Sequence, residues 1–464
     1  MTPDAAETRS SSRRVVAVGF AVAAATLVVH ARSLLFPALL LDDFIILRHS
    51  LTWADARERL WVPVNEHCWP LFRLLTWAVA WVAGGAASLP LACAASVRVV
   101  LLGTVALVYV FVRRERGHAY YGLAAAAVFG VTAVYQEAVY WYAASPAVWS
   151  AAATLLALLG AQRWSGARSW FGLVLAGVWS VVAPAWYGGG VLTGPLCALY
   201  LLVAGRMVVA VVPVLGTVAY LVVALAMSGN QMLDAMHHDS RDADRALDPV
   251  VGAVSTARSV VDNLALGAVG VAGFTCPPVV AAAVFAGVVG GVTWWWRRAP
   301  RRDLVVLGLA FVVLHFGLIY TARAVWPYDT VLRGWSRYNL FPWLGVVLAL
   351  SGGLRRPAGG TEALGGTEAR RLLLLVLALT LINLPRGILG TPIRPADQPA
   401  VLRRVEDMDR KCRGAGVPSV VACRVLDPLP APGDEGFDAY LLMWGGSGTT
   451  DMPDGEARVR LGLP

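Results

Sequence analysis

The first apolar run, Val15–Leu35 (VVAVGFAVAAATLVVHARSLL), follows Arg13-Arg14 and stops just short of Leu41-Asp42-Asp43-Phe44. At 1.5 Å per residue such a run reaches about 30 Å, the thickness of a bilayer's hydrocarbon core. Runs of the same kind recur along most of the chain. A backbone crossing lipid must satisfy its own hydrogen bonds, so the pattern predicts an all-α polytopic membrane protein. Composition agrees: of 464 residues, 57% are hydrophobic and only 15% charged, where soluble domains carry about a quarter. The formal charge of +9 sits largely in arginines of short loops, a topology signal that argues against nucleic acid as a partner.

Spans are expected at 15–35, 90–112, 119–134, 146–162, 169–186, 189–205, 207–227, 276–296, 303–322, 338–353 and 371–389, about eleven in all. Leu71–Val82 is too short to count, and Gly84-Gly85 breaks it; it reads as an external helix lying on or dipping into the membrane. The Trp53–Trp61 segment reads as a short interfacial helix. In this register Arg113–Arg116, Arg163–Arg168, Arg206, Arg297–Arg302 and Arg355–Arg371 share one side. The positive-inside rule then places residues 1–14 in the cytoplasm and the C-terminus outside, in a multi-pass plasma-membrane protein. The first run is long and lacks a convincing cleavage site, so it reads as a retained span. Three regions follow: a cytoplasmic 1–14, a transmembrane 15–389, and an external 390–464. The last is expected to be a small α/β unit, with a helix over 398–413 and strand-like runs at 419–425 and 437–444. The six cysteines are scattered singly, without metal-ligand spacing; Cys412 and Cys423 fall in the external tail and are expected to pair.

The polar residues gather outside. Asp42 and Asp43 close the first span, and Glu66-His67 precede the Pro70 that opens the next helix. Glu137 and Trp141 lie beyond the third span, while Arg333, Arg337 and Tyr338 precede the tenth. Acids at the mouth of a membrane protein are costly to keep, so they point to function. The outer face has no nucleotide sugars or ATP, so an activated group must arrive there on a lipid carrier. Transfer from such a carrier needs a carboxylate base and a cation for the departing phosphate. Asp42 or Asp43 suits the first role, and Arg337 with Tyr338 or Arg333 the second. Adjacent helical residues point roughly 100° apart, so one aspartate is expected to face the site and the other to bind a neighbour. His67 could orient an aspartate or bind acceptor, and Glu137 could bind sugar hydroxyls. Each has a plainer reading: solvated helix end for the aspartates, packed helix start for His67, wetted span end for Glu137. His237, His238 and Asp239 could ligate a divalent cation or simply be solvated; no other cofactor is implied. Trp294–Trp296 reads as an aromatic belt.

Four motifs in this order resemble the GT-C superfamily of polyprenyl-phosphate-sugar-dependent glycosyltransferases, in its mannosyltransferase-like branch. They are the acidic pair Asp42-Asp43; His67 with Pro70 and Leu71; Glu137, Ala138, Val139 and Trp141; and Arg337-Tyr338 with Pro342. The resemblance spans roughly residues 15 to 389. It implies an inverting transfer at the outer face, with Asp42 or Asp43 as base and Arg337 near the donor phosphate. The implied partners are a polyprenyl-phosphate sugar donor, membrane lipid, and an acceptor glycan, lipid or protein. Ser145-Pro146 stands where many relatives carry an arginine and a further acid. Two other classes remain open: a transporter or flippase of a lipid-linked envelope component, and a non-catalytic assembly subunit. Carriers usually place ionisable residues at mid-membrane in repeated halves, and neither pattern is visible in this chain.

Overall fold

The computed structural model describes residues 3–39, 43, 46–47, 49–63, 67–85, 88–229, 249–268, 277–322, 336–354 and 364–389. In chain order the helices are α1 (Pro3–Val29), α2 (Arg32–Leu35), α3 (Trp53–Glu58), α4 (Pro70–Ala83), α5 (Leu89–Arg116) and α6 (Ala119–Gly130). Then come α7 (Glu137–Tyr140), α8 (Pro146–Ala167), α9 (Trp170–Trp186), α10 (Thr193–Val203) and α11 (Val211–Ser228). The last group is α12 (Pro249–Ser259), α13 (Leu266–Ala268), α14 (Pro278–Arg298), α15 (Arg302–Ala322), α16 (Leu340–Gly353) and α17 (Gly366–Leu389). No β-strand element occurs among the described residues. The expected tail unit, the Cys412–Cys423 pair and the His237-His238-Asp239 cluster all lie outside the described residues.

Local chemistry sets the helix ends. Pro70, Pro146 and Pro278 stand at the first position of their helices and Pro90 at the second, where a missing N–H costs nothing. Helix α4 stops at Gly84, which adopts φ +66° and so supplies the left-handed cap that the Gly84-Gly85 break suggested. Thr52 caps α3 by accepting the Asp55 N–H at 3.1 Å.

Seven helical segments are long and apolar enough to cross a membrane: Ser11–Val29, Leu89–Arg116, Tyr142–Ala167, Val208–Ser228, Val279–Arg298, Arg302–Tyr320 and Gly366–Ile388. The chain is therefore a multi-pass α-helical membrane protein. The other four expected spans form shorter helices. Ala119–Gly130 has 12 residues, or about 18 Å of axis. Trp170–Trp186, Gly188–Val203 and Leu340–Gly353 are also below the length of the seven. The reason is burial against protein: α6 is enclosed by α1, α5, α16 and α17 along nearly its whole length. A helix walled by neighbours can end inside the bundle, because they and the chain that follows satisfy its last carbonyls.

Long-range hydrogen bonds sort the helix termini into two ends. At the arginine-rich end, Arg14 Nη1 donates to the Leu364 carbonyl at 3.2 Å and the Arg301 N–H to Gly352 at 3.2 Å. Arg116 also reaches the Gly352 carbonyl (3.4 Å) and that of Leu354. The Glu115 carboxylate accepts from Gln162 Nε2 and Tyr200 Oη, both at 2.5 Å, and from the Arg301 guanidinium. At the opposite end, Arg32 Nη1 donates to the Ile388 carbonyl at 2.5 Å. The predicted grouping of Arg113–Arg116, Arg163–Arg168, Arg206 and Arg297–Arg302 on one side thus holds within the bundle. The acidic loops fall at the other end.

Candidate functional site

Of the nine residues singled out in the sequence, Asp42, Glu66 and Arg333 lie outside the described residues. The other six fall at the end of the bundle away from the arginine blocks. Asp43 is fully buried, and its Oδ1 accepts the Ala143 N–H at 2.6 Å. Ala143 belongs to a single 3-10 turn, Tyr142–Ala144, between α7 and α8. A carboxylate buried here is affordable only because a donor meets it. Asp43 is thus the aspartate that binds a neighbour.

Glu137 opens α7, and Arg337 lies in a 3-10 turn, Ser336–Asn339, that leads into α16. The two segments clasp each other. The Arg337 N–H donates to Glu137 Oε2 at 3.1 Å, while the Glu137 N–H donates to Ser336 Oγ at 3.0 Å. Asn339 Nδ2 adds a bond to the Val134 carbonyl at 3.1 Å. Arg337 Nη1 stands 3.9 Å from Glu137 Oε2, and each side chain is 14% exposed. The guanidinium lies over the Trp141 ring (4.5 Å to the centroid) and beside the Tyr338 ring (5.0 Å). Planar guanidinium on aromatic faces is the arrangement that arginine favours over lysine. Burial lifts the Glu137 carboxyl above the usual carboxylate range, outweighing the downward pull of Arg337, its amide, Ser336 and Arg386.

His67 joins this region through rings. It stacks on Trp69 at 4.9 Å and tilts against Tyr187 at 5.2 Å. Trp69 meets Phe72 at 5.9 Å, and Phe72 meets Tyr142 at 5.0 Å. Tyr142 Oη lies 3.1 Å from Thr76 Oγ1. The approach of His67 needs a glycine opposite, since a Cβ on Gly188 would come within 2.8 Å of His67 Nδ1. Beneath the ring row, Arg73 donates to the Val62 carbonyl at 2.9 Å; burial, with Arg59 nearby, depresses its pKa to about 10.

One stretch, 137–145, therefore serves as a common plate. Glu137 and Trp141 hold Arg337 on it, and Asp43 grips it at Ala143. Trp141 and Ala143 are two residues apart, at most about 7 Å between Cα atoms. Sequence alone gave no means of pairing residues 200 positions apart.

Three further charged residues at this end escaped the sequence reading. Arg98, buried in α5, donates to the Val139 carbonyl at 2.6 Å, to the His30 carbonyl at 3.1 Å and to Ser33 Oγ. It pins α7 to the end of α1. A lone arginine inside an apolar span was the available signal. Arg386, near the end of α17, reaches the Gly267 carbonyl at 3.5 Å and adds its positive field to Glu137. Asp262 is buried in a π-helical turn, Val260–Ala265, which packs against the 336–339 turn. Such turns recur at functional sites, but no sequence pattern marks them. Among the described residues no group of three or more His, Cys, Asp or Glu side chains is placed to hold a metal ion.

Fold and site together define a multi-pass α-helical membrane protein with a buried acid–arginine cluster at one end of its bundle. No family model matches the chain, and no curated protein matches it.

Proposed function

We propose that this chain is an inverting glycosyltransferase that moves a sugar from a polyprenyl-phosphate carrier to an acceptor at the outer face of the plasma membrane. The observation that supports this reading is the shared plate: an acid and a cation, far apart in sequence, bound to one nine-residue stretch. The GT-C resemblance points the same way, motif by motif. In the reaction, Asp42 or Asp43 takes the proton of the acceptor hydroxyl as its oxygen bonds to the anomeric carbon. The bond from that carbon to the phosphate oxygen breaks, and its electron pair leaves with the lipid phosphate. Arg337, with Tyr338 beside it, neutralises the departing group through charge-assisted hydrogen bonds. His67 and Glu66 stand on the acceptor side. The accompanying topology is about eleven passes with the N-terminus inside.

The test is transfer of radiolabelled sugar from a polyprenyl-phosphate donor by the purified protein. Losing the base should lower the rate roughly 10² to 10⁴-fold with the fold intact. Arg337→Ala should weaken donor binding as well as turnover, and Arg337→Lys should restore only part, lacking the bidentate fork. Full activity in the Asp42→Asn, Asp43→Asn double variant refutes the mechanism. A second reading, a carrier or non-catalytic envelope-assembly subunit, draws on the full burial of Asp43 and its bond to Ala143. Absence of transfer by intact wild-type protein with varied donors would favour it.

A further inference from the structure

At the opposite end of the bundle, a cavity of about 450 Å³ opens where α5 turns into α6. Val110, Arg113, Arg114, Gly117, His118 and Ala119 line it. The turn is tight: Gly117 adopts φ +66°, and the His118 side chain caps α6 by accepting the Tyr120 N–H at 3.1 Å.

The run Arg113-Arg114-Glu115-Arg116 is divided by the fold. Arg116 points inward, 4.6 Å over the Tyr121 ring, and donates to the Gly352 and Leu354 carbonyls. Glu115, the only acid of the run, is turned into the protein and saturated by Gln162, Tyr200 and Arg301. Arg113 and Arg114 are left exposed on the cavity. Arg113 contacts Tyr109, through its hydroxyl at 3.1 Å and its ring at 5.8 Å, and neither arginine meets a carboxylate among the described residues. The nearest acid, Glu368, is 3.9 Å from His118 Nε2 and is already engaged by the Gly365 N–H at 3.0 Å. Exposed arginines at a helix end are an ordinary topology signal. A cavity with two unneutralised guanidiniums on its rim and Val110 and Ala119 on its wall is more specific. Its chemistry is that of an anionic phosphodiester attached to an apolar body, at the depth where lipid headgroups lie.

We infer that this cavity binds the headgroup of an anionic glycerophospholipid. The inference is independent of the proposed catalytic role. Two arginines near a headgroup are each worth about fivefold in affinity, so about 25-fold together.

The experiment uses the full-length protein, delipidated in neutral detergent and titrated with short-chain phosphatidylglycerol or phosphatidylcholine of equal chain length. Bound lipid is counted by native mass spectrometry. The expected result is a phosphatidylglycerol preference of about tenfold or more. It should vanish in Arg113→Gln, Arg114→Gln and persist in Arg297→Gln, Arg298→Gln, whose exposed arginines lie off the cavity. A preference that survives the first pair of substitutions overturns the inference. Equal loss with the second pair does so too, because the attraction is then diffuse. Full displacement of the lipid by millimolar inorganic phosphate would assign the cavity to a soluble anion and overturn the lipid assignment. Gel filtration of each variant confirms the fold, which exposed side chains should leave unchanged.

Discussion

The Arg337 N–H donates to Glu137 Oε2 at 3.1 Å across 200 residues of sequence. The same carboxylate faces the Arg337 guanidinium at 3.9 Å. One side chain thus answers both the backbone and the charge of its partner, and through Trp141 it holds the guanidinium flat on α7. This relationship ties the late part of the chain to the third inter-span segment.

Its removal should be graded. Glu137→Gln keeps an oxygen for the Arg337 N–H but no charge, whereas Glu137→Ala leaves a buried donor unmet, at about 1–3 kcal/mol. Thermal unfolding of the purified protein should therefore rank wild type, Gln and Ala in falling order. Equal midpoints for the two variants would show that the hydrogen bond contributes nothing.

The pH dependence follows from burial. The Glu137 carboxyl is held above its ordinary value of 4.5, so the folded state binds its proton more tightly than the unfolded chain. Its contribution is complete below 4.5 and is lost as pH rises through the raised value. Glu137→Gln mimics the protonated form. Its stability relative to wild type should therefore improve as pH climbs through that window. A constant difference in melting temperature across the window would contradict the assignment.

At the arginine-rich end, Glu115 is 4% exposed and its carboxylate serves Gln162, Tyr200 and Arg301. These partners come from α8, α10 and the chain just before α15, so the network clamps four parts of the bundle. Glu115→Ala should cost about 3 kcal/mol, because it strands a cation and two polar groups together. Wild-type denaturant resistance in that variant would mean the clamp is dispensable.

For the proposed eleven-pass topology, a reporter active only outside the cytoplasm, fused after residue 464, should be active. The same reporter fused after Arg206 should be silent. The reverse pattern would invert the orientation.

Local features were readable without the fold. The apolar runs of α1, α5, α14, α15 and α17, the helix-opening Pro70, Pro146 and Pro278, and the stop at Gly84 depend on length, φ and a missing N–H. Each is decided within a few residues. The arginine blocks marked one end because desolvating a guanidinium is costly wherever the chain turns. The sequence also placed Asp43, His67, Glu137, Trp141, Arg337 and Tyr338 at the other end. It could not say that Asp43 would grip Ala143, or that Glu137 rather than either aspartate would hold Arg337. Nor could it separate Arg113 and Arg114, left on an open cavity, from Arg116, turned inward onto Tyr121. Those outcomes rest on distances between segments up to 200 residues apart. Such distances exist only after the helices have packed, when a buried polar group must take whichever partner the packing brings within reach.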